Sequence, residues 1–199
     1  MEQKKSLALF DFDKTITTTD SFLPFMFFSF GYLKTFSVMI SLCFHAAVTI
    51  CGFMSRKNFK EKFFARTIKG WTEEKFHDTA LDFYRKKMRN WVKKSAAEEI
   101  RKHIENNAEV SLVSASPEDW LWPFTEEYGI NLIATRLEKI DGIYTGKIVG
   151  NNCRKAEKVR RVREVYNLDD YSEIYAYGDS AGDYEMLKIA NHPHFRFFK

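Results

Sequence analysis

A doubly wound α/β fold, a parallel sheet with an α-helical cap inserted after its first strand, is predicted by three observations in this sequence. The run Leu7-Ala8-Leu9-Phe10 ends abruptly in Asp11, as a strand buried on both faces does where it reaches the edge of a sheet. Two later apolar runs, 110–113 and 174–177, end the same way, in Ser114-Ala115-Ser116 and in Gly178-Asp179-Ser180. Between the first strand and the second, the chain carries helical rather than alternating periodicity. The expected division is core 1–17, cap 18–94 and core 95–199.

Taken in order, residues 6–10 form the first strand. With the chain still extended beyond it, Asp11, Asp13 and Thr15 share one side. Residues 20–54 are then strongly apolar, and 35–54 form a run of twenty residues without Asp, Glu, Lys or Arg, long enough for a transmembrane candidate. A single span would put Asp11 and the later motifs on opposite sides of a bilayer. Pro24 and Gly31 interrupt the preceding run, which is short for a second crossing. Two readings stay open, a buried helical pair and a helix lying in the membrane interface, with Ser37, Ser41, His45 and Thr49 as a polar stripe. Lys34 on one side and Arg56 and Lys57 on the other close the segment.

Residues 56–91 read as two amphipathic helices separated at Gly70, the second starting at Thr72-Glu73-Glu74. Ser95 to Glu98 has the spacing of a capping box. Ser116-Pro117-Glu118-Asp119 opens a further helix, with Ser116 expected as its cap. Residues 131–134 make a short strand, Ile140-Asp141-Gly142-Ile143 a hairpin turn, and 155–166 a helix with Val159, Val162 and Tyr166 inward. His192 and His194 flank Pro193 near the end, where a last strand or a surface turn fits better than a metal site.

The bulk composition narrows the class. The 199 residues are 45% hydrophobic and 29% charged, the composition of a globular chain able to bury a core. A net charge of +4 comes from scattered basic residues, which reads as a solvated surface and not as a nucleic-acid footprint. Cys43, Cys51 and Cys153 have neither metal spacing nor a disulfide framework and are expected to be buried free thiols. The first residues lack the long apolar stretch of a signal peptide, so a cytoplasmic location is expected.

Three predicted strands therefore end in carboxylates or hydroxyls, and Lys158 lies between the last two, near the start of a helix with Arg154 and Lys155. Cations there oppose the helix dipole, which an anion bound nearby would explain; a solvated basic face is the alternative. Four converging carboxylates, Asp11, Asp13, Asp179 and Asp183, cannot all stay ionised without cations, and one Mg²⁺ with oxygen ligands suits them. Gly178 and Gly182 allow close backbone approach.

The set DFDKT at 11–15, SAS at 114–116, Lys158 and GDSAGD at 178–183 resembles the haloacid-dehalogenase-like (HAD) phosphatases. Within them it is similar to the phosphoserine-phosphatase-like branch, subclass IB, which inserts a helical cap after the first motif of a Rossmann-like core. The resemblance implies that Asp11 is the nucleophile and forms an aspartyl-phosphate. Asp13 would protonate the leaving alkoxide and then activate water. Ser114 and Lys158 would hold phosphate oxygens, with Thr15 either joining them or ending the strand. Asp11, the backbone carbonyl of Asp13 and Asp179 would hold Mg²⁺, supported by Asp183. Asp13-Lys14-Thr15 also matches the phosphorylation motif of P-type ion pumps, but no bundle of membrane spans accompanies it. Lys14 stands where the family usually carries glycine.

The cap bears on the substrate. Where phosphoserine phosphatases place a glutamate and a cap arginine, this sequence has Asp20 and, with imperfect spacing, Arg66. Asp20 could instead cap the first cap helix and Arg66 could be solvated. The apolar segment 35–54 is similar to the caps of phosphatidylglycerophosphate phosphatases in the same branch. The expectation is a phosphomonoesterase acting on a lipid phosphate, peripheral on the cytoplasmic face of a membrane. The alternatives are a soluble metabolite phosphatase, a phosphotransferase using the same intermediate, and a non-catalytic lipid-binding scaffold.

Overall fold

The computed structural model describes residues 5–199; Met1 to Lys4, with which the expected first core segment begins, lie outside the described residues. Six strands form one sheet in the order β4-β3-β2-β1-β5-β6. They are β1 (Lys5–Phe10), β2 (Glu109–Pro117), β3 (Asn131–Ile140), β4 (Ile143–Val149), β5 (Tyr171–Gly178) and β6 (His192–Phe195). All neighbours pair in parallel except β3 and β4, joined by the expected hairpin, whose Asp141 and Gly142 both have positive φ. The mostly parallel α/β architecture is the one expected.

The apolar run of β1 is buried on both faces because helices cover both. Ala8 and Phe10 face a cluster holding Ile100 of α5 (Lys94–Glu105) and Trp120 and Phe124 of α6 (Glu118–Tyr128). Leu7 and Leu9 face Val162 of α7 (Ala156–Val165) and Met186 and Leu187 of α8 (Tyr184–Lys188). The chain leaves β1 toward β2 and β3 on one side, and β5 pairs on the other. The order therefore reverses between β1 and β5, where ligands bind in open α/β sheets.

The insertion between β1 and β2 begins with α1 (Phe22–Ser41), α2 (Cys43–Ile50), α3 (Arg56–Arg66) and α4 (Glu73–Lys86). Its two ends are tied together: Thr18 N donates to Trp91 O and Lys93 N to Ile16 O. It shares one apolar cluster with the core, in which Phe25 stacks on Trp120 and Phe76 packs at a tilt against Tyr144. β4 approaches α3 so closely that a Cβ at Gly146, whose φ is +84°, would lie 2.8 Å from the Ala65 backbone. Thr72 caps α4 through the Lys75 N–H, as its sequence predicts. The capping box at Ser95 does not form: α5 starts at Lys94, which places Ser95 inside its first turn.

The apolar segment is neither a fully buried helical pair nor a single helix. Phe22–Ser41 is a helix long and apolar enough, by length and composition, to cross a membrane, but Gly31 breaks it (φ 73°, ψ 170°). Residues 35–54 are not one helix, since the chain turns at Leu42 between α1 and α2. Phe25, Met26, Thr35 and Val38 are buried, so one face of α1 packs inward. The pair as a whole is not buried, however: Leu33, Ile50 and Phe53 are 91%, 86% and 87% exposed, and Tyr32, Ile40 and Phe44 are exposed with them. Cys43 and Cys51 ride on this exposed pair, so of the three free thiols only Cys153 is buried.

Candidate active site

Asp11 is placed by the sheet itself. Its N–H donates to Tyr177 O at 2.9 Å, continuing the β1–β5 ladder and setting its side chain at the carboxyl edge where the strand order reverses. The chain does not stay extended beyond it. Phe12–Ile16 form a kinked turn in which Asp13 and Lys14 leave helical torsions, Lys14 with φ +64°. That left-handed backbone explains why glycine suits this position, and why Asp11, Asp13 and Thr15 do not share one side as an extended chain would require.

The turn keeps Thr15 on Asp11 and sends Asp13 elsewhere. The Thr15 hydroxyl donates to Asp11 Oδ2 at 2.9 Å and approaches Asp179 Oδ1 at 3.4 Å, and of its two expected places, on phosphate or at the strand's end, this contact puts it against the acids. Asp13 points toward the cap, accepting from Ser21 N–H at 2.6 Å and from the Ser116 hydroxyl at 2.6 Å. Its carboxylate is therefore separate from the acidic group formed by Asp11, Asp179 and Asp183, whose oxygens lie within 4.8 Å of one another. Ser116 was expected as a helix cap. It instead grips Asp13, a role legible in its spacing, since Ser114 and Ser116 alternate onto one side of β2.

Lys158 reaches the same point from the first turn of α7. Its ammonium, 1% exposed, donates to Asp11 Oδ1 at 2.6 Å, Asp183 Oδ1 at 2.7 Å and Val113 O at 2.6 Å, so each of its three protons has an acceptor. Burial works to neutralise this lysine, but Asp11 and Asp183 outweigh burial and hold its pKa above the usual lysine range. Burial raises Asp11, Lys158 opposes that, and Asp183 adds to it, leaving Asp11 pushed up to about 7. Burial and then Asp183 raise Asp179. Burial also disfavours the Asp183 carboxylate, but Lys158 and Ser180 outweigh it and hold its pKa low. Three carboxylates thus share one ammonium, and the surplus negative charge is what a divalent cation relieves.

These groups line a cavity of about 320 Å³ with Ser114, Asn152 and residues of the cap. Asp20 is on its wall, and its Oδ1 also accepts from Phe22 N–H at the start of α1, so it both lines the cavity and caps the helix. Arg66 is not on the wall: it is exposed, and its guanidinium donates to Lys62 O. The phase of α3 decides this. Arg56 and Lys60, one turn apart, face the cavity, and a residue six positions beyond Lys60 falls on another face. Lys60 donates to Ala115 O and Asn152 Oδ1, and burial pushes its ammonium down to about 8 against the pull of Asp13 and Asp20. Arg154 belongs to the basic group that the sequence pointed to as an anion site, whereas Lys60 and Asn152 went unrecognised and Arg56 was read only as closing the apolar segment, because only helix phase and loop folding bring them to the wall. Asp11, Asp13, Asp20, Asp179 and Asp183 face Lys14, Arg56, Lys60, Arg154 and Lys158, so the ionised wall is formally neutral. One divalent ion would leave it at two positive charges, matching a phosphomonoester dianion.

A sheet whose switch point carries acids and an ammonium of this kind, roofed by helices, defines a phosphatase-type hydrolase. The chain belongs to the haloacid dehalogenase-like hydrolases, matching that family over residues 8–188. It is 33% identical to Protein CicA of Caulobacter vibrioides, covering 100% of this chain and 89% of that one. It is 28% identical to a probable phosphatase of Mycobacterium tuberculosis, covering 94% and 67%. A solved phosphoserine phosphatase, captured as a phospho-aspartyl intermediate analogue, shares the fold with a TM-score of 0.60 at 21% identity, covering 94% and 84%.

Proposed function

We propose that the chain is a Mg²⁺-dependent phosphomonoester hydrolase acting through Asp11 on a lipid phosphate such as phosphatidylglycerophosphate at a membrane face. A carboxylate oxygen of Asp11 attacks phosphorus, the bond to the ester oxygen breaks, and Asp13 protonates the departing alkoxide. Asp13 then takes a proton from water as that water attacks phosphorus. The bond to Asp11 breaks, freeing inorganic phosphate and regenerating the carboxylate. Lys158 and Ser114 neutralise and orient the phosphoryl oxygens. Asp11 and Asp179, with Asp183 beside them, are hard oxygen donors that fit Mg²⁺, which when bound would offset their charge.

The observation that carries the lipid reading is the exposed apolar array on α1 and α2, flanked by Lys34, Arg56 and Lys57. Apolar side chains rimmed by cations suit the surface of an anionic bilayer. The protein should sediment with phosphatidylglycerol vesicles. A variant with Leu33, Ile40, Phe44 and Phe53 all changed to serine should lose at least about tenfold in partition, since each buried apolar side chain contributes roughly 1.5–3 kcal/mol. A Mg²⁺-dependent screen should favour phosphatidylglycerophosphate over phosphoserine and sugar phosphates. A protein that ignores vesicles and prefers soluble esters is a metabolite phosphatase instead.

Ser116 enters this reading as a positioning residue. Ser116→Ala frees one oxygen of Asp13, and general acid catalysis matters most when the leaving group is a poor one. The variant is expected to lose about tenfold in kcat with an alkyl phosphate and about twofold with p-nitrophenyl phosphate, and Ser116→Thr should recover most of it. Equal losses with the two esters would show that Ser116 acts through folding alone.

A further inference from the structure

A second cavity adjoins the first. It measures about 440 Å³, lies between α2 and α3, and is lined by Ala46, Thr49, Ile50 and Phe59 together with Phe22, Arg56 and Lys60. The last three also line the acidic cavity, so the two spaces meet along one shared wall. The character of the lining changes across it. Carboxylates and cations surround the inner space, whereas the outer one carries charge only at the junction and is otherwise apolar apart from Thr49. The junction is firmly built: the Phe22 ring packs 5.3 Å from Phe63 and 5.8 Å from Phe64, and the Lys60 ammonium stands 5.7 Å from the Phe22 ring. The far end is open, with Ile50 exposed to solvent.

We propose that this groove seats the hydrocarbon tail of the substrate while its phosphate occupies the adjoining cavity. The inference rests on the phosphomonoesterase reading and adds which part of the cap selects the substrate. The occupant is set by continuity. An ester substituent that leaves a phosphate beside Asp11 on the Phe22 and Lys60 side would meet a space that is apolar, of ligand size and open-ended. Arg56 and Lys60 at the junction suit the polar linkage between phosphate and tail, and Ala46, Ile50 and Phe59 suit methylenes.

The test uses alkyl monophosphates from ethyl to octyl, below their micelle concentrations, so that no membrane takes part. With the unmodified protein, kcat/KM should rise two- to fourfold per methylene, the factor each buried methylene supplies, until the groove is filled. Ala46→Trp, which fills the groove, should lower the octyl-to-ethyl ratio of kcat/KM at least tenfold. Ile50→Lys, at an exposed position that places no demand on folding, should lower it at least threefold. A flat series with the unmodified protein, or a ratio indifferent to both substitutions, overturns the inference and leaves the groove to some other occupant. If ethyl and p-nitrophenyl phosphate are both refractory with Mg²⁺ present, the phosphatase reading fails and the tail groove falls with it.

Discussion

Replacing Asp11 by asparagine should lower kcat for p-nitrophenyl phosphate by at least about 10⁴ while the protein stays folded, since loss of a covalent nucleophile removes the reaction path itself. The geometry separates chemistry from folding here. Asparagine has the same shape, and its amide oxygen can still accept from the Lys158 ammonium or the Thr15 hydroxyl that now hold the carboxylate. The Lys158 charge keeps Asp183 as its partner at 2.7 Å, so no buried cation is orphaned. The melting temperature should move by only a few degrees. Acid quenching of the unmodified protein during turnover of a ³²P-labelled ester should leave label on the chain, and the variant should carry none. Activity within tenfold of the parent would remove Asp11 from the nucleophile's place, and parent and variant both at background would favour a non-catalytic lipid-binding scaffold.

Residues that the topology alone delivers were legible in the sequence. Asp11 and Ser114 follow fully buried runs and Asp179 one broken only by the half-buried Tyr175, and a parallel sheet sends the ends of such runs to one edge. Lys158 and Asp183 came from the family resemblance, which places a lysine and the last acid of GDSAGD at the site. What was not legible depends on torsions and on helix phase. No propensity rule puts a lysine at φ +64°, yet Lys14 sits there, and that one backbone choice keeps Thr15 on Asp11 and turns Asp13 toward Ser116. In α3 the apolar pattern sets the inward face only to within a turn or so, enough to predict a helix and too little to choose Lys60 over Arg66. The first cap helix is apolar nearly all round, so no stripe tells its buried side from its exposed one, and the outward display of Leu33, Ile40 and Phe44 comes only with the structure.

Replacing Lys158 by methionine should damage both stability and catalysis, and a second substitution should part the two effects. The ammonium is enclosed by Asp11, Asp183 and the Val113 carbonyl. Removing it leaves two carboxylates facing each other in a buried site, and breaking a buried ion pair in this way costs roughly 3–5 kcal/mol. For a chain of this size each kcal/mol corresponds to about 2–4 °C, so melting in the presence of a chelator should fall by about 10 °C. The sign with pH follows from the acids left behind. Without the ammonium their folded pKa values rise above the unfolded ones, so the deficit is greatest above the carboxylate range and narrows as the solution is acidified and they bind protons. Adding Asp183→Asn to Lys158→Met removes the like charge and should recover more than half of the lost stability. It should recover none of the activity, which is expected to stay about 10³-fold down because no cation then meets the phosphoryl oxygens from this side. If the double variant regains activity along with stability, Lys158 is a structural counter-ion to the acids and leaves the transferring phosphoryl group to Arg56, Lys60 and Arg154.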